Sequence, residues 1–473
     1  MLIDFRVKNF KSFKDDVEFS MVKGKAKNKS ERTFELKNLS VLKFSSLFGA
    51  NASGKSNLVQ ALQIMRFLVL NSALPVEAIN EYYRLDDACK GAPTYFEAII
   101  SLDGKIYSYG FEVSLSSNAY SSEWLMELKK TRDGSEREIL IYKRENNKIE
   151  LSNALRKKES GVSTRLDVYK EDTEINPNIL FLHRLNKEKN VLFEKGDEDI
   201  LILKKVYDWF MSSLVIINPN APFTSAEYLS SESKLAELVN LLKAFDTGIT
   251  QIREVPSTEE EFIRKNRLLL EPLKSEMIKR RYLLNSYGKL DSISLMVRSE
   301  IDFWIIVLDE KGVFSYQRLV FLHDDNSAHD FSLRDESDGT LRIFDLAEVL
   351  LSDSNDRTFV IDELDRCLHP ALTVQFVKLF LKQASQTDFT NQLIVTTHES
   401  RLLDLNILRR DEIWFVTKTD GISKLYSLEE YNERFDRVID KAYLEGRYGG
   451  IPIFETIYFP EYIKDENSAK RTD

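Results

Sequence analysis

The sequence contains few cysteines, prolines and glycines, and it contains no long hydrophobic run. Its 473 residues include only two cysteines, Cys89 and Cys367, which form neither a disulfide framework nor a metal-binding pattern. No apolar run approaches the length of about eighteen residues that a membrane-spanning helix needs. The first residues, Met1 to Asp4, lack the basic segment and apolar core of a secretory signal. We therefore expect a protein of the reducing cytoplasm, with no membrane as partner.

The composition is typical of a soluble globular protein, with 43% hydrophobic and 30% charged residues and only 10 prolines and 17 glycines. A chain of this length is expected to form about two or three compact units. Its net charge of −10 opposes attraction of the whole molecule to nucleic acid, although a local basic patch is compatible with it. Residues 279–281, Lys-Arg-Arg, form one such patch, and a solvated helix face is the alternative interpretation. DNA or RNA therefore stays open as a partner.

One stretch matches the pattern Gly-x-x-x-x-Gly-Lys-Ser, between a strand-like run, residues 39–48, and a helix-like run, residues 57–70. This setting favours a phosphate-binding loop, in which backbone N–H groups and the following helix N-terminus converge on the β-phosphate. Lys55 neutralises the β- and γ-phosphate oxygens, and the Ser56 hydroxyl can bind Mg²⁺. The alternative is a turn before a helix without any ligand. We predict an ATP and Mg²⁺ site whose binding residues here are Gly49, Asn51, Ala52, Ser53, Gly54, Lys55, Ser56 and Asn57.

Two adjacent carboxylates follow a short apolar strand in the C-terminal part. The strand covers residues 358–361 and is followed by Asp362 and Glu363. Asp362 can hold Mg²⁺, generally through water, and Glu363 can act as the general base that polarises the attacking water. An apolar strand followed by two acids is common, so this pattern gains its weight from the phosphate-binding loop upstream.

Two more segments suit a nucleotide site. Ser337 and Gly339 precede a helix-like run, and backbone N–H groups at a helix N-terminus favour phosphate. His398 follows a buried strand, at the end where ligands gather in parallel α/β sheets. A lone histidine there is usually structural, but behind a phosphate-binding loop it indicates a γ-phosphate contact. The predicted catalytic residues are thus Glu363, His398 and Lys55.

The patterning predicts an α/β protein in three segments. Residues 1–120 and 293–473 show strand-like alternation around the motifs, and the first segment includes a hairpin across Asp103 and Gly104. Residues 121–292 have denser charge and weaker period-two alternation, which favours an inserted, mostly helical arm or dimerisation region.

Inside the middle segment the prediction is more detailed. Helix-like stretches cover residues 231–245 and 258–284, and Pro272 is expected to kink or split the second one. Residues 214–217 are apolar and predict a short buried strand, so the segment is not purely helical.

The order of the motifs resembles that of ABC-type ATPases of the SMC and RecF kind. Their Walker A, signature, Walker B, D-loop and H-loop motifs match residues 49–56, residues 336–340, Asp362 with Glu363, Asp365, and His398 in this order. This likeness implies a P-loop ATPase head that is split by the inserted arm.

More narrowly, three segments resemble AAA-family ATPases of bacterial restriction-linked and abortive-infection loci, the RloA-like group. The segments are residues 336–340, 361–370 and 443–452. Two departures matter. The signature has Asp338 and Thr340 where transporters have glycine and glutamine, and no glutamine can be assigned as the Q-loop.

The resemblance implies a homodimer or higher homo-oligomer. ATP would be sandwiched between Walker A of one chain and Ser337 and Gly339 of the other, with Asp365 and His398 helping to set the site. Relatives of the OLD type carry a Toprim nuclease after the ATPase, but the stretch after His398 is too short for one. The expected effector, a nuclease or toxin, is therefore a separate protein.

Three hypotheses for the function remain open from the sequence. The first is an ATPase that senses phage infection and controls a partner effector. The second is a RecF-like or SMC-like DNA-repair ATPase, and the third is a scaffold that ATP holds together while turnover is incidental.

Overall fold

The structure is a computed structural model, and its helices and strands are assigned in most of the chain. It describes residues 1–37, 39–130, 136–157, 160–187, 191–194, 197–219, 232–266, 270–285, 293–298, 302–324, 329–430 and 439–448. The end of the segment 443–452, which contributed to the narrower resemblance, lies outside the described residues.

The strands of the described residues form four sheets. In chain order they are β1 (Leu2–Lys8), β2 (Val17–Ser20), β3 (Thr33–Leu36), β4 (Leu39–Leu42), β5 (Phe44–Phe48), β6 (Thr94–Leu102), β7 (Lys105–Ser114), β8 (Ala119–Lys130), β9 (Glu136–Glu145), β10 (Lys148–Leu151), β11 (Leu214–Ile217), β12 (Gln251–Ser257), β13 (Ile293–Arg298), β14 (Phe303–Leu308), β15 (Phe314–Leu322), β16 (Thr358–Ile361), β17 (Gln392–Thr396), β18 (Ile413–Thr419) and β19 (Ile422–Ser427).

The α-helices of the same residues vary from one turn to about five turns. They are α1 (Lys55–Asn71), α2 (Ala88–Gly91), α3 (Asn153–Arg156), α4 (Ser160–Ile175), α5 (Phe181–Asn186), α6 (Val191–Glu194), α7 (Glu198–Asp208), α8 (Glu232–Ala244), α9 (Glu259–Asn266), α10 (Leu270–Asn285), α11 (Asp338–Leu351), α12 (Pro370–Ala384) and α13 (Ile439–Leu444). Of the helices within these described ranges, none combines the length and the apolarity needed to cross a membrane.

A six-stranded sheet brings the predicted motifs together. Its order is β11-β16-β17-β5-β18-β19, and every pair except β18 with β19 is parallel. The carboxyl ends of parallel strands meet at one edge of a sheet. The loops after β5, β16 and β17 therefore lie side by side, and these loops carry the predicted P-loop, the two acids and His398.

This sheet is buried on both faces, which explains why its strands are almost continuously apolar. Val360 and Ile394 belong to the core that contains α1, whereas their neighbours Phe359 and Leu393 belong to the core that contains α11 and α12. Because side chains alternate along a strand, each of these strands contributes to both cores.

The seven-stranded antiparallel sheet, in the order β10-β9-β8-β7-β6-β1-β2, packs on α1 from the other side. Leu62 and Met65 of α1 share one core with Phe5 of β1 and with Ile394 of β17. The buried Gln392 joins the two sheets, because its amide accepts a 2.6 Å hydrogen bond from the N–H of Leu2 and donates a 2.9 Å bond to the Leu2 carbonyl. The helix that starts at the P-loop is thus held between two sheets.

A four-stranded antiparallel sheet, β12-β15-β14-β13, covers α11. The rings of Phe303 and Phe321 lie 5.4 and 5.2 Å from that of Phe344 in α11. On the opposite face, Trp304 lies 5.1 Å from Phe262 of α9. The helix that follows the signature segment is therefore enclosed between the parallel sheet and this smaller sheet.

Several local predictions are confirmed. Asp103 and Gly104 connect β6 to β7, and both have positive φ values, 51° and 74°, as a tight hairpin turn requires. β11 is present and pairs with β16. α9 and α10 cover most of the helix predicted over residues 258–284, and Pro272 lies in the first turn of α10. Residues 267–269 between them lie outside the described residues, so the kink or split expected at Pro272 stays a prediction.

The inserted, mostly helical arm predicted over residues 121–292 is not confirmed. β8, β9 and β10 extend the seven-stranded sheet, and β11 and β12 join two other sheets. The sequence pattern missed β8 and β9 because their inward positions hold Glu123 and Arg144, both fully buried, which breaks the polar and apolar alternation. The boundaries at residues 120 and 292 stay a prediction.

Candidate nucleotide-binding site

The loop between β5 and α1 is shaped by its two glycines. A Cβ at Gly49 would lie 2.4 Å from the carbonyl oxygen of Val416, and a Cβ at Gly54 would lie 2.6 Å from the hydroxyl of Ser423. Gly54 also has a φ of 115° and is the N-cap of α1. Only glycine fits at either place without a shift of the neighbouring strands, so the loop can pack tightly against β18 and β19.

Lys55 is the first residue of α1 and is buried. Its Nζ donates hydrogen bonds of 2.9 and 3.1 Å to the carbonyl oxygens of Gly49 and Ala50, so the side chain curls over the loop. Burial lowers the pKa of Lys55 to about 8, and the nearby Asp362 carboxylate partly opposes this shift. A buried ammonium that has only carbonyl partners is well suited to bind a polyanion.

Asp362 is the meeting point of all three loops. Its Oδ1 accepts a 3.1 Å hydrogen bond from the Ser56 hydroxyl and a 2.6 Å bond from the Thr396 hydroxyl. Ser56 belongs to the P-loop helix, Asp362 follows β16, and Thr396 ends β17. The two predicted metal ligands, Ser56 and Asp362, are therefore in direct contact.

Glu363 has a left-handed backbone, with φ 50°, which is uncommon for a residue other than glycine. Its N–H donates a 2.8 Å hydrogen bond to the Thr396 hydroxyl. Its side chain is 43% exposed, and one carboxylate oxygen lies 3.8 Å from the guanidinium of Arg366. The carboxylate of the predicted general base thus faces solvent beside the Asp362 site.

Asp365 and His398 are also joined by a hydrogen bond. Oδ1 of Asp365 accepts bonds of 2.7 Å from the Thr397 hydroxyl and 3.1 Å from the backbone N–H of His398. Partial burial and the charge of Lys55 lower the pKa of His398, which favours a neutral imidazole next to the loop.

Ser337 caps α11, and the hydroxyl of Ser337 accepts a 3.1 Å bond from the N–H of Thr340. A Cβ at Gly339 would lie 3.0 Å from the carbonyl oxygen of Cys367. Within the described residues, neither hydrogen bond of the Ser337 hydroxyl reaches the P-loop. The structure therefore brings the P-loop, Asp362 with Glu363, Asp365 and His398 together within one chain, whereas both described hydrogen bonds of the Ser337 hydroxyl stay within its own segment.

Four functional residues were missed by the sequence reasoning. The Thr396 hydroxyl bonds to the carboxylate of Asp362, and the Thr397 hydroxyl bonds to that of Asp365. Their position as the two residues before His398 is a signal that could have identified them. Ser12 accepts a 2.6 Å bond from the Asn57 amide, and the hydroxyl of Ser423 donates a 2.7 Å bond to Ser12. Asn57 is therefore tied to this serine pair, and its role in nucleotide binding stays a prediction.

The donors at this site fit Mg²⁺ and ATP. The Ser56 hydroxyl and the Asp362 carboxylate are hard oxygen ligands, which Mg²⁺ prefers together with water and phosphate oxygens. No cluster of three acidic, histidine or cysteine side chains that could hold a metal exists in the described residues.

Comparison with known proteins places these residues in one family. Residues 44–404 match the family described as "AAA domain, putative AbiEii toxin, Type IV TA system". Among solved structures, the "SMC head domain from Thermotoga maritima" is 14% identical, with a TM-score of 0.32, over 90% of this chain and 98% of that chain. No curated protein sequence matches the chain. Because the family match covers well over half of the sequence and includes all the loops that meet at Asp362, the chain belongs to this AAA-domain family.

Proposed function

We propose that the protein binds ATP with Mg²⁺ and hydrolyses it to ADP and phosphate. The observation that carries the proposal is the contact of Ser56 and Thr396 with Oδ1 of Asp362, beside the exposed carboxylate of Glu363. This arrangement provides a metal-binding hydroxyl and carboxylate together with an adjacent general base.

Each residue has a distinct task in this reaction. Lys55 neutralises the β- and γ-phosphate oxygens, and Ser56 and Asp362 would hold Mg²⁺, which offsets charge on the transferred phosphoryl group. Glu363 takes a proton from the attacking water. His398, with its neutral imidazole, contacts the γ-phosphate.

The test is phosphate release from ATP by the purified full chain, with Mg²⁺ and with the metal removed by EDTA. We expect turnover only when Mg²⁺ is present, because the Ser56 and Asp362 pair acts through the metal. Equal phosphate release in EDTA, or no ATP binding in calorimetry, would contradict the proposal.

The hydrolysis is proposed to occur between two copies of the chain. Within the described residues, the Ser337 hydroxyl bonds to Thr340 and not to the P-loop of its own chain, which supports a site completed by the signature segment of a partner copy. ATP would then stabilise head engagement because it contacts both subunits only in the closed dimer. Light scattering of the Glu363→Gln variant with and without ATP tests this, and a monomer under both conditions would contradict it.

We further propose that the ATPase is a sensor or regulator in bacterial anti-phage defence, within the RloA-like group. The family description, which names an AbiEii toxin and a Type IV TA system, supports a role in abortive infection. A separate nuclease or toxin would act as effector in the cytoplasm.

This role is tested in bacteria that express the gene alone or with its genetic neighbour, followed by phage plaque counts and growth curves. Protection only from the pair supports a separate effector. Growth arrest by this gene alone would show that the chain itself is the toxin.

A further inference from the structure

Arg342 is a buried arginine in α11 that the proposed reaction has not used. It lies in the second turn of α11, and only 4% of its surface is exposed to solvent. Its Nη2 donates one 2.9 Å hydrogen bond to the carbonyl oxygen of Asp362 and another of 2.9 Å to that of Glu363. Its Nη1 reaches the carbonyl of Asn218 at 3.4 Å. One guanidinium therefore holds the two peptide units that carry the metal ligand and the general base.

Arg342 is held by carbonyl oxygens and not by a carboxylate. Among the described residues, no carboxylate lies within ion-pair distance of it, and its Nε has no hydrogen-bond partner. Burial lowers the pKa of Arg342 to about 10. A buried charge without a carboxylate is unfavourable compared with an apolar side chain of similar volume. Fold stability alone therefore does not favour an arginine at this position.

The backbone that Arg342 holds is strained. Glu363 adopts φ 50°, a left-handed conformation that is unfavourable for a residue with a Cβ. Such a conformation persists only where surrounding contacts impose it. At Glu363 these contacts are the Thr396 hydroxyl on the N–H side, and on the carbonyl side the Arg342 guanidinium at 2.9 Å together with the backbone N–H of Arg366 at 3.1 Å.

α11 also carries the signature segment, which lies at its N-terminal end. Ser337 is the N-cap of α11, and Arg342 lies one and a half turns further along it. Because a helix is stiff over this distance, a shift of the Ser337 end displaces the Arg342 guanidinium and the Glu363 carbonyl that it holds.

We propose that Arg342 is a positioning residue that holds Glu363 in its left-handed conformation and links the orientation of this general base to the signature end of α11. This inference rests on the proposed ATPase function. In the engaged dimer, contact of Ser337 with the nucleotide of the partner subunit would set the base for the nucleotide of its own subunit. ATP hydrolysis at the two sites of the dimer would then be coupled.

The experiment compares Arg342→Met and Arg342→Ala with a matched control, Arg66→Met. Arg66 is also a partly buried helical arginine, and its guanidinium donates to the backbone carbonyls of Phe210 and Met211, at 2.7 and 3.1 Å. Steady-state kcat and KM, ATP affinity by calorimetry and the melting temperature are measured for each full-length variant.

We expect kcat to fall about 100-fold in Arg342→Met, since a misplacement of about 1 Å is enough for such a loss. ATP affinity should change less than about twofold, because Arg342 contacts neither Lys55 nor the loop before it, so that kcat and KM separate. Arg66→Met should keep its kcat, whatever its melting temperature. Added guanidinium ion should restore part of the turnover of Arg342→Ala and none of that of Glu363→Gln.

Two outcomes would overturn the inference. One is a wild-type kcat in Arg342→Met, and the other is a parallel loss of kcat, ATP affinity and stability that guanidinium does not reverse, which indicates a purely structural role. Both leave the ATPase proposal intact. Absence of phosphate release from the wild-type chain would instead refute the ATPase proposal itself. If Arg342→Met does not fold, the same measurements are made on Arg342→Lys. Lysine keeps the charge but lacks the planar guanidinium that spans both carbonyls, so kcat should still fall.

Discussion

The hydroxyl of Thr396 donates a 2.6 Å hydrogen bond to Oδ1 of Asp362. The oxygen of the Thr396 hydroxyl also accepts a 2.8 Å hydrogen bond from the N–H of Glu363, so a single side chain at the end of β17 orients both acids that follow β16. β17 lies between β16 and β5, which places Thr396 at the centre of the site. A residue outside the usual motifs thus determines the geometry of the Walker B acids.

The first prediction concerns this hydroxyl. Thr396→Val keeps the β-branched shape that suits a buried strand, but it leaves the Glu363 N–H without an acceptor and removes a donor from Asp362. We expect turnover to fall roughly tenfold or more, which corresponds to about 1.4 kcal/mol or more of lost transition-state stabilisation. Thr396→Ser, which retains the hydroxyl, is the control in the same phosphate-release assay. Equal turnover in the valine and serine variants would contradict the role given to Thr396.

Local patterns in the sequence singled out residues that the structure brings together. A P-loop is a contiguous motif, so Lys55 and Ser56 could be identified from their spacing, and α1 follows from apolar residues on one face of a helix. Asp362 and Glu363 could be placed because an apolar strand precedes them. Parallel pairing of β5, β16 and β17 then brings these residues to one edge of the sheet, as the prediction required.

Contacts between distant segments could not be predicted in this way. Ser12 and Ser423 meet behind the P-loop although they are far apart in the chain, and neither has a distinctive neighbour in sequence. Arg342 resembles an ordinary helical arginine until the backbone of Glu363 is known to accept its hydrogen bonds. In β8 and β9, Glu123 and Arg144 are buried and form hydrogen bonds with backbone groups of a distant segment inside the core. A strand prediction that expects apolar residues at inward positions therefore misses these two strands.

The second prediction is that Lys55→Ala abolishes ATP binding. The loop would lose the ammonium that neutralises the triphosphate, and charge-assisted bonds to phosphate are among the stronger ones in proteins. Lys43→Met is a matched control, because Lys43 is also buried and also donates to two backbone carbonyls, those of Ala384 and Gln386. Calorimetry should show ATP binding by Lys43→Met and none by Lys55→Ala. Unchanged affinity in Lys55→Ala would refute the P-loop assignment.

The third prediction is that Glu363→Gln binds ATP but hydrolyses it slowly. The amide keeps the size of the side chain and removes the base, for which a loss of about 10²–10⁴-fold is typical. Bound ATP should therefore persist, and the variant should accumulate in the engaged form. Single-turnover measurements with radiolabelled ATP separate binding from hydrolysis. Wild-type turnover would show that the base is another residue.

The fourth prediction concerns stability and pH. Burial raises the pKa of Glu412 to about 7, and one of its carboxylate oxygens has no partner among the described residues. The folded chain therefore favours the protonated form. This contribution is fully present below the usual glutamate pKa of about 4.3 and is lost as the pH rises to about 7, by roughly 3 kcal/mol. Glu412→Gln should show a flatter dependence of unfolding free energy on pH between 5 and 7.5 in denaturant titrations, and parallel curves would contradict this.

The last prediction tests whether two chains share each site. Ser337 caps α11, and within the described residues its hydroxyl bonds to Thr340 and not to the P-loop of its own chain, so Ser337→Arg should leave nucleotide binding by the monomer nearly intact. It should block engagement, because a bulky cation in a tight interface both clashes and adds an unpaired charge, at a cost of several kcal/mol. Calorimetry and phosphate release from the same preparation measure the two effects. Normal hydrolysis by Ser337→Arg would refute both the signature assignment and the shared site.

Mixing Ser337→Arg with Lys55→Ala makes this test more specific. In a mixed dimer, one site carries both lesions, whereas the other combines the intact P-loop of the Ser337→Arg chain with the intact signature of the Lys55→Ala chain. Two inactive proteins should therefore yield an active mixture, provided that subunits exchange and that one intact site is sufficient for turnover. Turnover plotted against mixing ratio should be largest near equal amounts, because mixed dimers are then most abundant. A mixture that stays inactive, although exchange is demonstrated with differently tagged chains, would show that the site is not shared or that both sites must be intact. Turnover by Ser337→Arg alone would show, independently of the mixture, that each chain holds a complete site.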